Sequence, residues 1–516
     1  MNFFFRVDSS LKIGTGHLIR CLTLAKVLRM QGAECKFICG PQKDNFIKLV
    51  KNEGFKVFTF AKSKNKIVKN KNDKTKKNYY FDWIETSWQE DVKNTIKALG
   101  SDIIDWLVVD HYALDKKWEN KIRPYVKKIM VIDDLANRDH SCDLLLDQNL
   151  IANQETRYLK RILPNCTTFL GPKFALLQPE YSKLHIRKQI NRDKIKRVLV
   201  FFGGVDKKNL TKLTLKSLLK IKRKDITFDV VISSLNPNKS NIQKFLHKKP
   251  NVNMYDSLPS LAPLMIKADI AIGACGSTTW ERLCLGLPSL VITIAENQKP
   301  IAKELDRLNL IKLIGHHTYV KEENILNSFK SALDENLKKW TRYSKTITNG
   351  KGVFKIASIL MINDKSKLKI RMAKKEDEQL LLLWANDPIV RANAFSPDII
   401  SSQVHSSWFH SRLNNGEFCK IFILETIEGV PIGQVRFEKK FKKWFVNYSL
   451  SKIARGKNIG SRLLNLSIQK FKKKEKLTLF AEVKKSNNPS IKIFKKNKFK
   501  LTKSFNKEFF TFFQKV

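Results

Sequence analysis

Short apolar runs that end in a polar or glycine-rich turn are the feature that most limits the fold of this chain. Residues 106–110 and 128–133 both end in aspartate, while residues 197–202 run directly into a pair of glycines. Such runs are typical of strands buried on both faces of a parallel sheet. Between them lie helical patterns, such as residues 17–30, where apolar side chains recur every three or four positions. The alternation predicts a doubly wound α/β fold, with a ligand crevice at the carboxyl ends of the strands.

The chain is long enough for several domains, and its patterns divide it into three. Its 516 residues exceed the usual size of one hydrophobic core. The strand–helix alternation restarts after Pro179, which predicts two Rossmann-like halves, residues 1–175 and 176–365, that face each other across a cleft. In the last part of the chain, predicted antiparallel strands are followed by a turn and a helix at residues 455–471. This order predicts a third, α+β domain over residues 366–516.

The net charge of +49 raises the question of nucleic-acid binding. The excess is spread along the chain, because residues 366–516 hold 32 basic and 12 acidic side chains and the first 365 residues carry the remaining +29. We interpret it as a lysine-rich solvated surface, since nucleic-acid binders more often concentrate arginine and aromatic residues on one element. A non-enzymatic RNA-binding protein is the alternative that would rest on the charge alone.

Composition also bears on location and on metals. No apolar run approaches the roughly 18–20 residues that cross a bilayer. The segment that begins at Met1 has no basic region of the kind that starts a signal peptide. The eight cysteines form no CxxC pair and have no histidine at ligand spacing. We therefore expect a cytoplasmic protein with no membrane contact, no metal and no disulfide framework.

The most informative motif is Gly14-Thr15-Gly16-His17, which follows a predicted strand and opens a predicted helix. The two glycines let the backbone approach a ligand closely, and N–H groups at a helix start favour phosphate or another anion. The helix dipole disfavours an imidazolium at this end, which helps to keep His17 a neutral base. An ordinary helix cap with a surface histidine is the alternative. The position directly after a strand favours a ligand loop.

The motif also opens a longer resemblance to a known family. The strings that carry it are Arg6-Val7-Asp8-Ser9-Ser10, Asp110-His111-Tyr112, Ile132-Asp133-Asp134, residues 142–149, Phe202-Gly203-Gly204-Val205-Asp206, Gly276-Ser277-Thr278-Thr279-Trp280-Glu281 and Glu296-Asn297-Gln298. Over about residues 1–355 the chain resembles the UDP-sugar hydrolases of pseudaminic acid biosynthesis. That family has a glycosyltransferase-B-type fold, a pair of Rossmann-like domains. The resemblance implies removal of UDP from a diacetamido-trideoxy sugar by water that attacks the anomeric carbon.

The resemblance also implies roles for single residues. His17 is the base that takes the proton from water, Tyr112 and Asn297 line the sugar pocket, and Glu281 accepts hydrogen bonds from the ribose hydroxyls. Asp8 and Asp110 end predicted strands, so we expect them to orient His17 or the sugar. The remaining predicted substrate-binding residues are Gly14, Gly16, Gly203, Gly204, Ser277 and Thr278. The last four are expected to donate hydrogen bonds to the diphosphate. Donors there would stabilise the leaving UDP, so a strong general acid would be unnecessary.

A second resemblance lies in the third domain. The string Arg455-Gly456-Lys457-Asn458-Ile459-Gly460-Ser461 resembles the pyrophosphate loop of GNAT acetyltransferases, and residues 487–499 resemble their closing motif. Successive backbone N–H groups in such a loop cradle the diphosphate of acetyl-CoA. The resemblance therefore implies acetyl-CoA as co-substrate. The residues expected to bind it are Arg455, Gly456, Asn458, Gly460, Ser461 and Asn487.

Three positions depart from the GNAT pattern. Asn458 stands where glycine is usual, although asparagine tolerates left-handed backbone better than most residues. Phe494 replaces a tyrosine that in many members returns a proton to the CoA thiolate, and Lys498 replaces a glycine. Residues 384–391 further resemble the acetyltransferases that act on amino-deoxy nucleotide sugars.

Together these patterns predict a bifunctional enzyme with UDP-sugars and acetyl-CoA as its small-molecule partners. Its last domain would acetylate a UDP-4-amino sugar, and its first two would then hydrolyse UDP from the product. A glycosyltransferase with an accessory acetyltransferase domain is the main alternative, and acetylation of protein N-termini is another for the last domain. The sugar stereochemistry stays open, because related pathways make isomeric nonulosonic acids.

Overall fold

The computed structural model describes residues 1–60, 80, 83–187, 191–471, 477–502 and 508–516. The chain forms two compact units, residues 1–357 and residues 358–516. The predicted domain boundaries at 175/176 and 365/366 stay predictions.

The first half of unit 1 is a parallel sheet flanked by helices. Its strands are β1 (Asn2–Val7), β2 (Glu34–Cys39), β3 (Lys56–Thr59), β4 (Trp106–Asp110), β5 (Ile129–Ile132), β6 (Leu144–Asp147) and β7 (Thr167–Leu170). The helices are α1 (Gly16–Met30), α2 (Ile47–Asn52), α3 (Trp88–Leu99) and α4 (Lys116–Ile122). The strand order is β3-β2-β1-β4-β5-β6-β7, so the order reverses between β1 and β4. In open α/β sheets, ligands bind in the crevice at such a reversal.

The second half of unit 1 repeats this plan. After α5 (Pro179–Arg187) come the strands β8 (Arg197–Phe201), β9 (Thr227–Val231), β10 (Val252–Tyr255), β11 (Ile270–Ala274), β12 (Ser289–Thr293) and β13 (Lys312–His316). Its helices are α6 (Leu210–Leu219), α7 (Lys239–Leu246), α8 (Ala262–Lys267), α9 (Thr278–Cys284), α10 (Gln298–Arg307), α11 (Glu322–Leu333), α12 (Leu337–Ser344) and α13 (Gly352–Leu360). The strands are parallel in the order β10-β9-β8-β11-β12-β13, with the reversal between β8 and β11.

Both faces of this second sheet are buried. Along β8, Val198 and Val200 belong to one apolar core, whereas Leu199 between them belongs to the core on the opposite face. Burial on both sides explains why β8 is a continuous apolar run without alternating polar residues. The prediction of doubly wound α/β architecture is confirmed for both halves.

Unit 2 is a mixed sheet with helices. Its strands are β14 (Leu368–Met372), β15 (Cys419–Thr426), β16 (Pro431–Lys440), β17 (Lys443–Leu450), β18 (Thr478–Lys484), β19 (Lys500–Leu501) and β20 (Phe509–Lys515). The helices are α14 (Glu378–Ala385), α15 (Pro388–Ala392), α16 (Ser402–Leu413), α17 (Ile459–Phe471) and α18 (Asn488–Lys496). The order is β14-β15-β16-β17-β18-β20-β19, and every described pair except β17–β18 is antiparallel.

The pair β17–β18 matters for the site in unit 2. The two strands are registered only at Trp444–Leu479 and Phe445–Phe480, although each strand continues well beyond these residues. The strands therefore separate after Phe445 and leave a gap in the sheet. The turn and helix predicted over 455–471 divide at Ile459, where α17 begins, because Gly456 and Asn458 have positive φ angles of 70° and 57°, which are incompatible with a right-handed helix.

Candidate active site

His17 lies in the first turn of α1, beside the carboxyl end of β4. Its Nδ1 is 2.5 Å from Asp110 Oδ1. Arg20, one turn further along α1, donates to both oxygens of Asp110 over 2.6 and 2.7 Å. Burial would raise the pKa of Asp110, but the charge of Arg20 and the hydrogen bonds from Arg20 and His17 outweigh burial and hold that pKa well below its usual value. Because an ionised carboxylate only accepts hydrogen bonds, Nδ1 carries the ring proton and Nε2 is the basic nitrogen.

Aromatic side chains surround the His17 ring. The Tyr112 ring lies edge-on to it with centroids 4.5 Å apart, and the Trp83 ring lies edge-on at 5.4 Å. Trp83 stacks on Tyr112 at 5.0 Å, and Tyr80 packs against both. His17 keeps 9% of its surface exposed. The arrangement suits a general base: packing fixes the imidazole ring, and a small part of the ring stays accessible to a substrate.

Three consecutive residues at the carboxyl end of β4 have three different partners. Asp110 pairs with His17, His111 Nε2 lies 3.0 Å from Asp8 Oδ2, and the Tyr112 hydroxyl donates to Asp134. Burial raises the pKa of Tyr112 well above its ordinary value, and the nearby Asp134 raises it further. Tyr112 is therefore a protonated donor at neutral pH.

Asp8 lies in a buried ion cluster next to this site. Arg6 donates to its Oδ1 over 2.5 Å, and the Gly40 N–H donates to the same oxygen over 2.6 Å. Together with His111, these donors occupy both carboxylate oxygens, and Asp8 is only 2% exposed. This geometry favours a scaffolding role for Asp8, so its predicted contact with the sugar has no support here. Asp110, by contrast, does lie against His17.

Sequence reasoning gave no role to Arg20, Asp134, Asn149 or Trp83. Arg20 Nη1 donates to Asp134 Oδ1 over 3.0 Å, and Asn149 Nδ2 donates to the same oxygen over 2.7 Å. Through its bonds with Tyr112 and Asn149, Asp134 connects the segments that follow the carboxyl ends of β4, β5 and β6. The spacing of Arg20 from His17, one turn on the same helix, was the available signal. No local signal points to Trp83.

Three glycine loops meet at the carboxyl edges of the two sheets in unit 1. A Cβ atom added to Gly16 would lie 3.5 Å from Ser277 Oγ, and one added to Gly204 would lie 3.3 Å from Thr15 Oγ1. Gly14 and Gly203 have φ angles of 90° and 94°, and an added Cβ would meet nothing within 4 Å at either one. The loops therefore lie close to one another, and the open space beside Gly14 and Gly203 lets a ligand approach the backbone.

The remaining predicted residues of unit 1 lie around the same opening. Asn297 immediately precedes α10, and its Nδ2 donates to the Tyr112 hydroxyl over 3.3 Å. This contact joins the two halves at the predicted sugar pocket. Thr278 begins α9 and is partly exposed. Glu281, on α9, pairs with the Tyr181 hydroxyl, and burial raises the pKa of Glu281 to about 7.

In unit 2, the predicted acetyl-CoA loop leads from β17 into α17. Gly456 has open space around its missing Cβ, as a ligand loop requires. Arg455, however, turns away from the loop: its Nε donates to the Leu450 carbonyl over 3.1 Å, and its Nη1 pairs with Asp387 over 2.9 Å. The structure thus gives Arg455 an internal partner that sequence reasoning did not foresee.

Gly460, Ser461 and Asn487 sit at contacts between α17 and α18. A Cβ on Gly460 would come within 2.5 Å of Ile493 Cδ1, so this glycine permits close helix packing. Ser461 Oγ accepts from Asn497 Nδ2 over 2.9 Å, and Asn487 caps α18 through the Ser490 N–H. These contacts shape the loop from below, and direct contact with acetyl-CoA stays a prediction.

The Phe494 ring lies near the gap between β17 and β18. The ring of Tyr448, on the diverging part of β17, is centred 5.6 Å away. The Tyr448 hydroxyl donates to Ser490 Oγ over 3.0 Å, and burial raises the pKa of Tyr448 to about 12. A phenol is therefore present next to the position where sequence reasoning found none.

Comparisons with known proteins bear on both units. Residues 197–357 match the glycosyltransferase family 28 C-terminal domain, and residues 367–500 match the acetyltransferase (GNAT) domain. Unit 2 carries a GNAT domain. The glycosyltransferase-B-type pair of Rossmann-like domains in unit 1, followed by this GNAT domain, confirms the predicted fold class.

Curated relatives extend the similarity. An uncharacterized protein of Methanocaldococcus jannaschii is 24% identical over 522 residues, which cover 96% of each chain. The UDP-2,4-diacetamido-2,4,6-trideoxy-beta-L-altropyranose hydrolase of Campylobacter jejuni is 26% identical over 303 residues, 58% of this chain and 95% of that one. Among solved structures, MurG of Acinetobacter baumannii covers 70% of this chain and 99% of its own at 11% identity, with a TM-score of 0.48.

The family matches and the curated relatives confirm the predicted resemblance to a hydrolase fused to an acetyltransferase, and they support a bifunctional enzyme of sugar nucleotides. Within the described ranges, no helix combines the length and apolar character that a membrane crossing needs. No cluster of three or more His, Cys, Asp or Glu side chains with metal-binding geometry occurs among the same residues. The roles of single residues and the cytoplasmic location stay predictions.

Proposed function

We propose that this chain carries out two consecutive steps of nonulosonic acid biosynthesis, in the branch that leads to pseudaminic acid. Its GNAT domain N-acetylates a UDP-4-amino sugar with acetyl-CoA. Unit 1 then hydrolyses UDP from the resulting UDP-2,4-diacetamido-2,4,6-trideoxy sugar. The observation that carries the proposal is the His17–Asp110 pair, fixed at 2.5 Å beside an aromatic pocket and opposite the glycine loops.

The geometry of unit 1 supports a direct attack by water. Nε2 of His17 takes a proton from water as the water oxygen bonds to the anomeric carbon. The bond from that carbon to the diphosphate oxygen breaks, and its electron pair leaves with UDP. Asp110 holds the imidazole in the required tautomer and stabilises the imidazolium that forms. Asn297 can donate its second amide hydrogen to the sugar, and the Tyr112 hydroxyl, whose proton goes to Asp134, lines the pocket beside it.

Acetyl transfer would take place in the gap between β17 and β18. The neutral 4-amino group of the sugar attacks the thioester carbonyl of acetyl-CoA, and a carbon–nitrogen bond forms as the carbon–sulfur bond breaks. CoA leaves as a thiolate, and the proton that the amine nitrogen loses converts it to the thiol. The open backbone at Gly456 and the left-handed Asn458 suit the diphosphate of the co-substrate. The acetylated sugar nucleotide is then the substrate that His17 is placed to hydrolyse, which gives the fusion a chemical reason.

A coupled assay tests the proposal. Purified full-length protein is given a UDP-2-acetamido-4-amino-2,4,6-trideoxy sugar and acetyl-CoA in water, and products are followed by mass spectrometry. We expect CoA, UDP and the free diacetamido sugar. Release of UDP only after a sugar acceptor is added would favour a glycosyltransferase, which the family 28 match of residues 197–357 makes the competing function. Consumption of acetyl-CoA only with peptides would reassign unit 2.

A further inference from the structure

Arg282 is a buried cation without an acidic partner. It lies on α9, is 2% exposed, and donates from Nη2 to the Ala274 carbonyl over 2.9 Å and to Thr279 Oγ1 over 3.0 Å. Its Nε has no hydrogen-bond partner. Among the residues that the structure describes, Arg282 forms no ion pair. Burial lowers the pKa of Arg282 to about 10, which still leaves it charged at neutral pH.

Other buried arginines of unit 1 are neutralised or fully hydrogen-bonded. Arg6 pairs with Asp8 and Asp91, and Arg20 pairs with Asp110 and Asp134. Arg192 has no carboxylate but donates from all three of its nitrogens to four backbone carbonyls. A buried charge with neither compensation is costly. Arg282 therefore lacks a full counter-charge within unit 1, and a bound anion would supply one.

The adjacent carboxylate does not supply that partner. Glu281 immediately precedes Arg282 in the sequence, but its carboxyl group pairs with the Tyr181 hydroxyl of α5. The pKa of Glu281, raised to about 7 by burial, leaves this group partly protonated at neutral pH. The positive field of Arg282 is thus only partly offset within the fold.

The guanidinium lies at the point where the strand order of the second sheet reverses. A Cβ added to Gly273 of β11 would come within 2.8 Å of Arg282 Nη1 and within 2.3 Å of the Phe201 carbonyl of β8. Glycine at 273 thus makes room for the guanidinium between the ends of these two strands. The chain continues from them into Gly203-Gly204 and Gly276-Ser277, where an added Cβ on Gly203 or Gly276 meets open space.

We propose that Arg282 is a positioning residue whose missing counter-charge is the diphosphate of the bound nucleotide. It acts from beneath the glycine loops, by its field and by holding the Ala274 carbonyl at the base of the 275–278 loop. Its effect grows during hydrolysis, because the carbon–oxygen bond breaks toward the diphosphate and negative charge builds up there. The inference rests on the proposed function, since it assigns the diphosphate of a sugar nucleotide to this crevice.

The test compares UDP with uridine, which shares the base and ribose but lacks the phosphates. Binding of each to the full-length protein is measured by titration calorimetry for wild type, Arg282→Gln and Arg282→Lys. We expect Arg282→Gln to lose at least tenfold in UDP affinity while its uridine affinity changes less than twofold. Arg282→Lys, which keeps the charge, should retain most of the UDP affinity. A merely structural residue would change both ligands alike.

Three results would overturn the inference: unchanged UDP affinity in Arg282→Gln, equal losses for UDP and uridine, or an Arg282→Lys variant as weak for UDP as the glutamine variant. If Arg282→Gln does not fold, the lysine variant decides alone. Weakened UDP binding with intact uridine binding in Arg282→Lys then contradicts the role of charge, and retained UDP binding supports it. Failure of the wild-type protein to bind UDP would instead contradict the proposed function.

Discussion

His17 depends on the proton that Asp110 fixes on its Nδ1. The carboxylate is held by two bonds from Arg20, and the imidazole is enclosed by Tyr112 and Trp83. We expect His17→Ala to lower the hydrolysis rate about 100- to 10,000-fold, the usual contribution of a general base. Acetyl transfer should be unaffected, because the acetyltransferase residues lie in the other unit. Both rates can be measured on one preparation by following UDP and CoA release.

His247→Ala serves as the matched control for this substitution. His247 is an exposed histidine of the same unit, at the end of α7. It should keep full hydrolysis. A His17→Ala variant with wild-type hydrolysis would contradict the base assignment outright.

We expect Glu281 to make nucleoside binding depend on pH. Burial raises its pKa to about 7 in the free protein, whereas ribose hydroxyls bind best to the ionised carboxylate. Binding is therefore coupled to proton release below pH 7, so affinity should rise with pH and level off above it, by up to about tenfold per pH unit. Uridine is the probe, since its lack of phosphate removes the titration of UDP itself near pH 6.

Glu281→Gln is the control, because an amide does not titrate. Its uridine affinity should be weaker than wild type at pH 8 and flat between pH 5.5 and 8. Calorimetric titrations across this range check both curves. An equally steep pH dependence in the glutamine variant would assign the effect to another group.

Among single residues, part of the candidate site could be predicted from the sequence. His17 and the glycine loops stand out because their signal is local: a strand, a turn and a helix start lie within about ten residues. Asp8 carries a similar local signal, yet Arg6 and His111 enclose it. Arg20, Asp134 and Asn149 come together from distant parts of the chain, so their shared contacts are a product of sheet order and are invisible along the sequence.

At the scale of elements, α15 is tied to the acetyl-CoA loop by one buried side chain. Asp387 caps α15 by accepting from the Ile389 and Val390 N–H groups, and it pairs with Arg455 over 2.9 Å. We expect Asp387→Asn to keep the cap but lose the ion pair, which would loosen the loop. The KM for acetyl-CoA should rise about tenfold, as expected for loss of a partly exposed, charged hydrogen bond.

The steady-state rate of acetyl transfer, measured at varied acetyl-CoA concentrations, checks this expectation. Asp398→Asn is the matched control, because Asp398 is an exposed carboxylate in the segment between α15 and α16. It should leave the KM unchanged. Equal effects of the two substitutions would show that the Asp387–Arg455 contact does not shape the loop.

Elements were predictable where one physical pattern decides them. The strands β4, β8 and β12 each contain a continuous apolar run, residues 106–109, 198–201 and 290–292, because both of their faces are covered. The turn and helix over 455–471 were predictable, and the left-handed Gly456 and Asn458 fix the start of α17 at Ile459. The gap after Phe445 has no sequence signature at all, because it depends on where β18 is held by β20.

At the scale of the whole molecule, the positive charge is shared by both predicted activities. Both substrates carry diphosphates, and a basic surface raises the rate at which such anions arrive. A charge of +20 on residues 366–516 and +29 on the rest marks neither unit as a nucleic-acid site. The charge is thus compatible with two small anionic ligands without identifying either of them.

Each compact unit has its own sheets and its own candidate site, so the two reactions should be separable by mutation. His17→Ala should disable hydrolysis. Gly456→Val should disable acetyl transfer, because a β-branched residue strains a backbone with φ of 70°. Gly416→Val is its control, since Gly416 has no positive φ and an added Cβ meets open space.

Neither variant alone should convert the UDP-4-amino sugar to the free diacetamido sugar, whereas an equal mixture should complete the conversion. The acetylated intermediate made by His17→Ala must leave that molecule and enter unit 1 of Gly456→Val. A time course by mass spectrometry should therefore show the intermediate accumulating before the free sugar appears. If each variant retains its single activity but the mixture makes no free sugar, the intermediate is not released between the steps. Both steps would then have to take place on one protein molecule.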